Sequence, residues 1–290
     1  MGYGDSIMVT GFARLAKEKY PNLQIVIGDK ESSNIANSII FKNNPNITNP
    51  KEIDPSINKV WIENYPGKRP YIKYVDDKKY YWNPNYRPVK GDLFFDEKEK
   101  NLAYSIFEKI KEKYLSKFNN KNKKIIFIEP SRKEKNYKDP NLLNTQGEYN
   151  RDWGKDNWNK FIKLYNDRVF FVQSLHENSD YFDEIYTFKS DFRNACAVLQ
   201  HCDTFIGWEG GFSHAAAALN KKAVVLFGGW IHPNTIGYKF HSNIYIDIEG
   251  SPCGMRNKCQ HCNECRNRIK VEDVGKKLEE TLFKSNHIKI

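Results

Sequence analysis

No uninterrupted apolar run in the 290 residues approaches the roughly 18 that a membrane-spanning helix needs. The chain also lacks the opening succession of basic, apolar and small residues that marks a secretory signal, so a cytoplasmic protein is expected. Collagen-like triplets, sustained heptads and solenoid-length repeats are missing, which excludes those architectures. Cysteine is scarce and uneven: Cys196 and Cys202 lie mid-chain, while Cys253, Cys259, Cys262 and Cys265 crowd into thirteen residues. In a reducing compartment that pattern does not describe a disulfide framework. What the chain does have is 39% hydrophobic and 14% aromatic residues, enough to bury a core. At a loose prior of about 150 residues per domain, two domains are expected.

Acidic residues are the minority charge, 36 against 46 Lys and Arg, for a net charge of +10. The excess suits a phosphate-bearing partner or an anionic membrane surface. Lys set beside Asn, as in Asn119-Asn120-Lys121-Asn122-Lys123-Lys124, also reads as the compositional bias of an AT-rich genome.

From about residue 120 the chain alternates short apolar strands with helices. Strands are read at Lys124 to Ile128, Arg168 to Val172, Asp203 to Gly207, Ala223 to Phe227 and Asn243 to Ile248. Helices are read at Trp158 to Tyr165, Phe192 to Leu199, Phe212 to Leu219 and Val271 to Phe283. This alternation implies a parallel sheet covered on both faces, with ligands at the carboxyl ends of its strands. Earlier, Ser6 to Tyr20 reads as a helix, with strands at Gln24 to Gly28, Lys59 to Ile62 and Leu93 to Phe95. Leu102, Ile106, Ile110 and Tyr114 form an apolar stripe on a helix from Glu99 to Phe118. Residues 64–90 show little periodicity and read as a surface excursion, either carrying specificity or of no consequence. The polar run Asn119 to Lys124 separates an N-terminal domain, 1–121, from a C-terminal domain, 122–290.

Five stretches could carry chemistry. Gly2-Tyr3-Gly4-Asp5-Ser6 is a glycine-rich entry into a helix, where Asp5 either protrudes into a cleft or caps the helix. Such a loop normally follows a strand, and only Met1 stands before it, so the true start is expected upstream. Gly207-Trp208-Glu209-Gly210-Gly211-Phe212-Ser213-His214 joins a strand to an alanine-rich helix. The Gly210 and Gly211 amides, aimed by the helix dipole, suit a diphosphate, and Glu209 suits sugar hydroxyls; the bland reading is a tight turn. In the loop after the first strand of the second half, Arg151 and Lys155 are candidate phosphate contacts or simply solvated bases. Gly228-Gly229 ends another strand and points to the same cleft or to turn chemistry alone. Finally, Cys253-x5-Cys259-x2-Cys262-x2-Cys265 carries the half-site spacing of zinc; free thiols or one adventitious disulfide are the alternatives, and a structural role remote from the chemistry is expected in each case.

Taken together, IIFIEP, the Trp153-Gly154 and Trp158 loop, DTFIGWEGGFSHAAAAL, AVVLFGG, the Cys-rich stretch and Gly4-Asp5-Ser6 resemble glycosyltransferase family 9, the ADP-heptose:lipopolysaccharide heptosyltransferases and their relatives. The resemblance is strongest over residues 125–274 and poor over 30–120. It implies an α/β fold of GT-B architecture, two Rossmann-like domains facing a cleft, the first of them on the acceptor side and lacking its first strand. It implies inverting transfer of a sugar, such as a heptose, from a nucleotide-diphosphate donor to a lipopolysaccharide or other cell-surface glycan, with no metal or cofactor in the chemistry. Asp5 matches the family's catalytic base, with Gly4 and Ser6 beside it. Arg151 stands at a phosphate-binding Lys and Glu209 at an Asp. Gly210, Gly211 and His214 match the donor turn. Glu for Asp and Arg for Lys depart from the pattern, so the donor sugar need not be a heptose. The expected partners are a nucleotide sugar, a glycolipid or glycan acceptor and the cytoplasmic membrane face. A catalytically idle nucleotide- or glycan-binding protein is the alternative. Nucleic acid is not expected, because the glycine turns have no place in that reading.

Overall fold

A helix with its first turn buried, α1 (Tyr3–Lys19), opens the computed structural model, which describes residues 2–63, 68–118, 122–130, 150–176 and 179–283. After it come β1 (Gln24–Asp29), β2 (Asn34–Ile35) and β3 (Lys59–Ile62), forming a three-stranded sheet of order β2-β1-β3. β1 and β3 run parallel. No strand precedes α1 among the described residues. The Ile25 and Ile27 carbonyls, on the edge of β1 turned away from β3, accept instead from the Thr48 and Ala36 amides. A separate hairpin, β4 (Ile72–Val75) and β5 (Tyr80–Trp82), rises from the aperiodic stretch.

The long helix α2 (Glu97–Lys117) starts at a capping box in which Asp96 and Glu99 exchange side-chain and backbone hydrogen bonds. Its buried stripe is Ala103, Phe107, Ile110 and Tyr114, while Leu102 is 46% exposed. The expected stripe is therefore displaced by one residue in its first half, because Phe107 carries more apolar area to the core than Leu102. Leu93 to Phe95 is not a strand. Among the described residues no strand pairs with it, and the Phe94 carbonyl is taken by the Arg193 guanidinium. Of the expected linker, residues 119–121 lie outside the described residues.

The C-terminal half forms one fully parallel sheet, in the order β11-β10-β9-β6-β7-β8. Its strands are β6 (Lys124–Glu129), β7 (Val169–Leu175), β8 (Tyr186–Lys189), β9 (Thr204–Trp208), β10 (Ala223–Gly228) and β11 (Ser242–Tyr245). Near-continuous apolar runs are required because both faces are covered. Ile126 and Ile128 face one layer with α3 (Lys155–Tyr165) and α8 (Val271–Phe283). Ile125 and Phe127 face the other, with α4 (Phe192–Leu199) and α5 (Gly211–Ala218). Two shorter helices, α6 (Pro233–Ile236) and α7 (Gln260–Arg268), complete the half. β8 and α7 escaped the sequence reading: β8 is a short edge strand and α7 is mostly polar.

The second core layer continues without a break into Ile7, Met8 and Val9 of α1 and Phe107 and Ile110 of α2. Arg193, only 3% exposed, pins this junction. Its Nε donates to Glu99 Oε1 at 2.6 Å and its Nη2 to Glu99 Oε2 at 3.1 Å, while Nη1 reaches the Ile39 carbonyl at 3.1 Å. Removing one partner of a buried pair strands the other, at a cost of about 3–5 kcal/mol. Arg193→Ala should lower stability by that order in urea unfolding, and Arg193→Ala/Glu99→Ala by less than the sum of the two single changes.

Candidate active site

The N-termini of α1 and α5 meet. A Cβ on Gly4 would lie 2.9 Å from the His214 ring and 3.6 Å from the Gly211 Cα. A Cβ on Gly211 would lie 3.0 Å from the Phe192 ring and 3.8 Å from the Gly4 nitrogen. Only residues without side chains allow this approach. It concentrates the positive ends of α1 and α5 in one place. Tyr3 stacks on Phe192, with ring centroids 4.6 Å apart, and seals one side.

Asp5 lies in the first turn of α1, whose N-cap is Gly2 and has no side-chain cap. The capping role therefore does not hold. The Asp5 carboxylate, 7% exposed, accepts the Tyr71 hydroxyl on Oδ1 at 2.6 Å, and Arg69 Nε stands 3.0 Å from Oδ2. Burial, reinforced by the Asp5 charge, pushes the Tyr71 phenol well above its usual value, so it remains a donor. Ser6 is buried behind Asp5.

Glu209 follows β9 and is 4% exposed. Arg151 Nη1 donates to its Oε2 at 2.7 Å, and His214 Nε2 stands 3.6 Å from Oε1. His214 Nδ1 lies 3.0 Å from the Tyr238 hydroxyl. Burial alone would raise Glu209, but the Arg151 charge and the His214 contact outweigh it and hold the carboxyl at about 2. Arg151 is wedged between two aromatic faces, 5.0 Å from the Trp208 ring and 4.6 Å from the Trp230 ring. Residues given separate donor contacts from the sequence thus bind each other.

The Gly210 amide donates to Ser213 Oγ at 3.2 Å. Gly228 has φ of +61°, a left-handed conformation that favours glycine, and turns the chain at the end of β10. A Cβ on Gly229 would collide with Cys265 Sγ. Lys155 is not drawn into this group; its ammonium lies 3.9 Å from Asp180. The cysteine loop is not remote from it. Asn150, next to Arg151, donates to the Met255 and Asn257 carbonyls at 2.9 and 2.8 Å.

Arg69, Tyr71 and Tyr238 escaped the sequence reading. The first two come from the stretch without periodicity, so no pattern could aim them at Asp5. Glu129 and His176, at the carboxyl ends of β6 and β7, were also missed; their side chains approach to 4.0 Å. The available signal was the general rule that open α/β sheets bind ligands at the carboxyl ends of their strands.

The sequence model of glycosyltransferase family 9 (heptosyltransferase) matches residues 94–263. No curated protein matches the chain. Among solved structures, the glycosyl transferase family 9 protein of Veillonella parvula DSM 2008 is 12% identical, with 98% of this chain and 96% of that one covered and a TM-score of 0.55. The iron-containing dodecameric glycosyltransferase TibC from enterotoxigenic E. coli H10407 is 12% identical, with coverages of 97% and 74% and a TM-score of 0.56. ADP-heptose lps heptosyltransferase II of E. coli is 15% identical, with coverages of 66% and 53% and a TM-score of 0.44. The chain thus spans about half the length of that last protein. The shared fold is the GT-B arrangement of two Rossmann-like units.

The Glu209 cluster has a pH signature. A carboxyl held at about 2 in the fold and near 4.5 when unfolded stabilises fully above the higher value. That contribution, on the order of a few kcal/mol, is lost as pH falls from about 4.5 to about 2. Glu209→Gln should melt well below wild type at pH 7, and the gap should narrow steadily toward pH 2.5. A gap independent of pH would contradict the ion pair.

Proposed function

Because the chain belongs to glycosyltransferase family 9, we propose that it transfers a sugar from a nucleotide-diphosphate donor to a hydroxyl of a lipopolysaccharide or other cell-surface glycan, with inversion and without a metal or cofactor in the chemistry. The observation that carries this reading is the contact of Gly4 with Gly211, which sets a carboxylate and two helix N-termini around one point.

In the proposed reaction Asp5 takes the proton of the acceptor hydroxyl as the acceptor oxygen bonds to the anomeric carbon. The bond from that carbon to the diphosphate breaks on the opposite face, and the electron pair leaves with the diphosphate. Negative charge then grows on the leaving group, where the Gly211 amide and the Arg151 guanidinium would lower its energy, joined by the Gly210 amide once it releases Ser213 Oγ. Arg151 would exchange part of its contact with Glu209 for phosphate, while Trp208 and Trp230 hold its plane. On this reading His214 and Glu209 would serve donor hydroxyls and Gly228 and Gly229 would shape the donor side; Gly4, against His214 and Gly211, would stand where donor and acceptor meet, and Ser6, only 1% exposed, would lie beneath the acceptor side rather than line it. Lys155, half exposed on the first turn of α3, would meet the donor only by turning from Asp180.

The net charge of +10 favours an anionic donor and an acidic acceptor at a membrane surface. No described helix is long and apolar enough to cross a membrane. A location in the cytoplasm, peripheral to the membrane face, follows as part of the proposal, as does the absence of a nucleic-acid partner. The idle binding protein remains as second reading for one reason: both Asp5 oxygens already have partners.

One substitution separates the two. Asp5→Asn removes the charge without touching a helix cap. On the catalytic reading it should bind ADP normally and release nucleoside diphosphate from ADP-heptose, with lipopolysaccharide as acceptor, at least about 10²-fold more slowly than wild type. Turnover equal to wild type assigns the base elsewhere, and a wild type that binds nucleotide sugars but turns over none of them favours the binding protein. Gly211→Val, whose side chain would press on Phe192 and the Gly4 backbone, should weaken ADP binding in calorimetry while the variant still folds. Undiminished affinity would remove the donor diphosphate from this turn.

A further inference from the structure

Among the described residues, a group of potential metal ligands lies outside the carboxylate pair, where the loop after β11 runs into the first turn of α7. The Sγ atoms of Cys253, Cys259 and Cys262 and a ring nitrogen of His261 all lie within 4.8 Å of one another. A tetrahedron with metal–sulfur bonds of about 2.3 Å has edges of roughly 3.8 Å, within that spread; the Cys253 and Cys262 sulfurs, 2.9 Å apart, need to open by only about 1 Å for one ion to reach all four donors. Cys259 is held at the N-cap of α7, where its amide donates to Asn150 Oδ1 at 3.2 Å. The His261 ring is oriented from behind, with Nε2 3.1 Å from Ser251 Oγ, which leaves Nδ1 for the ion. Cys265 does not belong to the group. Its Sγ lies beside the imidazole, 3.8 Å from Nε2 and 3.9 Å from Nδ1, packs against Gly229, and falls outside the group of mutually close ligand atoms. All four loop cysteines are free thiols.

The loop is tied to both sides of the reaction site. The Cys253 and Gly254 amides donate to the Gly229 and Trp230 carbonyls, each at 3.0 Å, and Trp230 Nε1 donates to the Met255 carbonyl at 2.7 Å. Trp230 is one of the two faces against Arg151. From the other side, the Tyr80 amide donates to the Gly254 carbonyl at 2.8 Å and Trp82 Nε1 to the Trp230 carbonyl at 3.1 Å. Those residues close the hairpin whose leading edge carries Arg69 and Tyr71 to Asp5.

We propose that Cys253, Cys259, His261 and Cys262 bind one divalent transition-metal ion, zinc being the ion that three thiolates and an imidazole suit best, and that this ion braces Trp230 and Arg151 in the site. The ion takes no part in sugar transfer; it closes the loop that the site leans on. Only the description of Arg151 as a donor-side residue rests on the proposed activity. The metal and the brace do not.

The test uses the full chain purified under reducing conditions without added chelator. Elemental analysis should find close to one zinc or iron per chain. Cys259→Ser and His261→Ala should fall below about 0.2 per chain, since structural sites bind tightly only when complete. Cys265→Ser should keep the metal. Less than about 0.2 metal in wild type would overturn the site, as would a disulfide between Cys253 and Cys262 in its place. Loss in Cys265→Ser with retention in His261→Ala would overturn the ligand set in favour of four thiolates. Amide hydrogen exchange then reads the brace. On metal removal, peptides covering 150–153 and 228–231 should exchange at least about tenfold faster, with those of β6 and β7 unchanged. Equal exchange with and without metal would overturn the brace. No sugar donor enters these measurements, so their failure is separate from failure of Asp5 or Gly211 to behave as a transferase site requires.

Discussion

The contact between Gly4 and Gly211 sets the terms for everything around it. Two helices cannot bring their N-termini together unless the residues at the contact lack side chains, and two positive helix ends do not rest together without negative charge nearby. Asp5 and Glu209 supply that charge from opposite halves of the chain. Each carboxylate is in turn held by a cation and a hydroxyl or imidazole: Asp5 by Arg69 and Tyr71, Glu209 by Arg151 and His214. The result is a balanced polar centre enclosed by an apolar core that runs through both halves. A further anion can enter such a centre only by taking over a partner of one of its own. That is why Arg151, wedged between two tryptophans rather than anchored at the backbone, is the group suited to change partners.

The C-terminal half was legible because its parallel sheet is covered on both faces, which forces short apolar strands and amphipathic helices into plain alternation. α4 and α8 run as the pattern predicts, and β6 extends one residue past its expected end. The glycine turn of α5 was legible for the same reason, since it interrupts a strand-to-helix succession where a turn must be tight. Legibility fell in the first half, where aromatics alternate with Lys, Pro and Asn. Tyr71 and Arg69 are placed by tertiary contacts of a hairpin that docks on Trp230 and the cysteine loop, and no local period encodes such docking. Leu93 to Phe95 failed as a strand because apolar content alone does not supply a neighbouring strand.

Arg193 shows the same limit from the other side. A basic residue at the start of an amphipathic helix reads as solvated, yet this one is buried against Glu99 and main-chain carbonyls of the N-terminal half. With the core running unbroken from α5 to α1, it makes the halves one packed body at the junction. The cysteine loop extends this economy. Its spacing was readable as a metal half-site, but its position beside Trp230 and Asn150 was not, and neither was the substitution of His261 for Cys265 within reach of one ion.

The central claim is that a donor diphosphate seats where α1 and α5 meet. Melting curves of wild type and Gly4→Ala with ADP, UDP and GDP test it most directly. The added methyl group would lie 2.9 Å from the His214 ring and wedge the two helix ends apart. At about 100 times its dissociation constant, at least one nucleotide should stabilise wild type by about 2.7 kcal/mol, and Gly4→Ala should fold but lose most of that gain. No stabilisation of wild type by any of the three, or equal stabilisation of both proteins, would contradict the account.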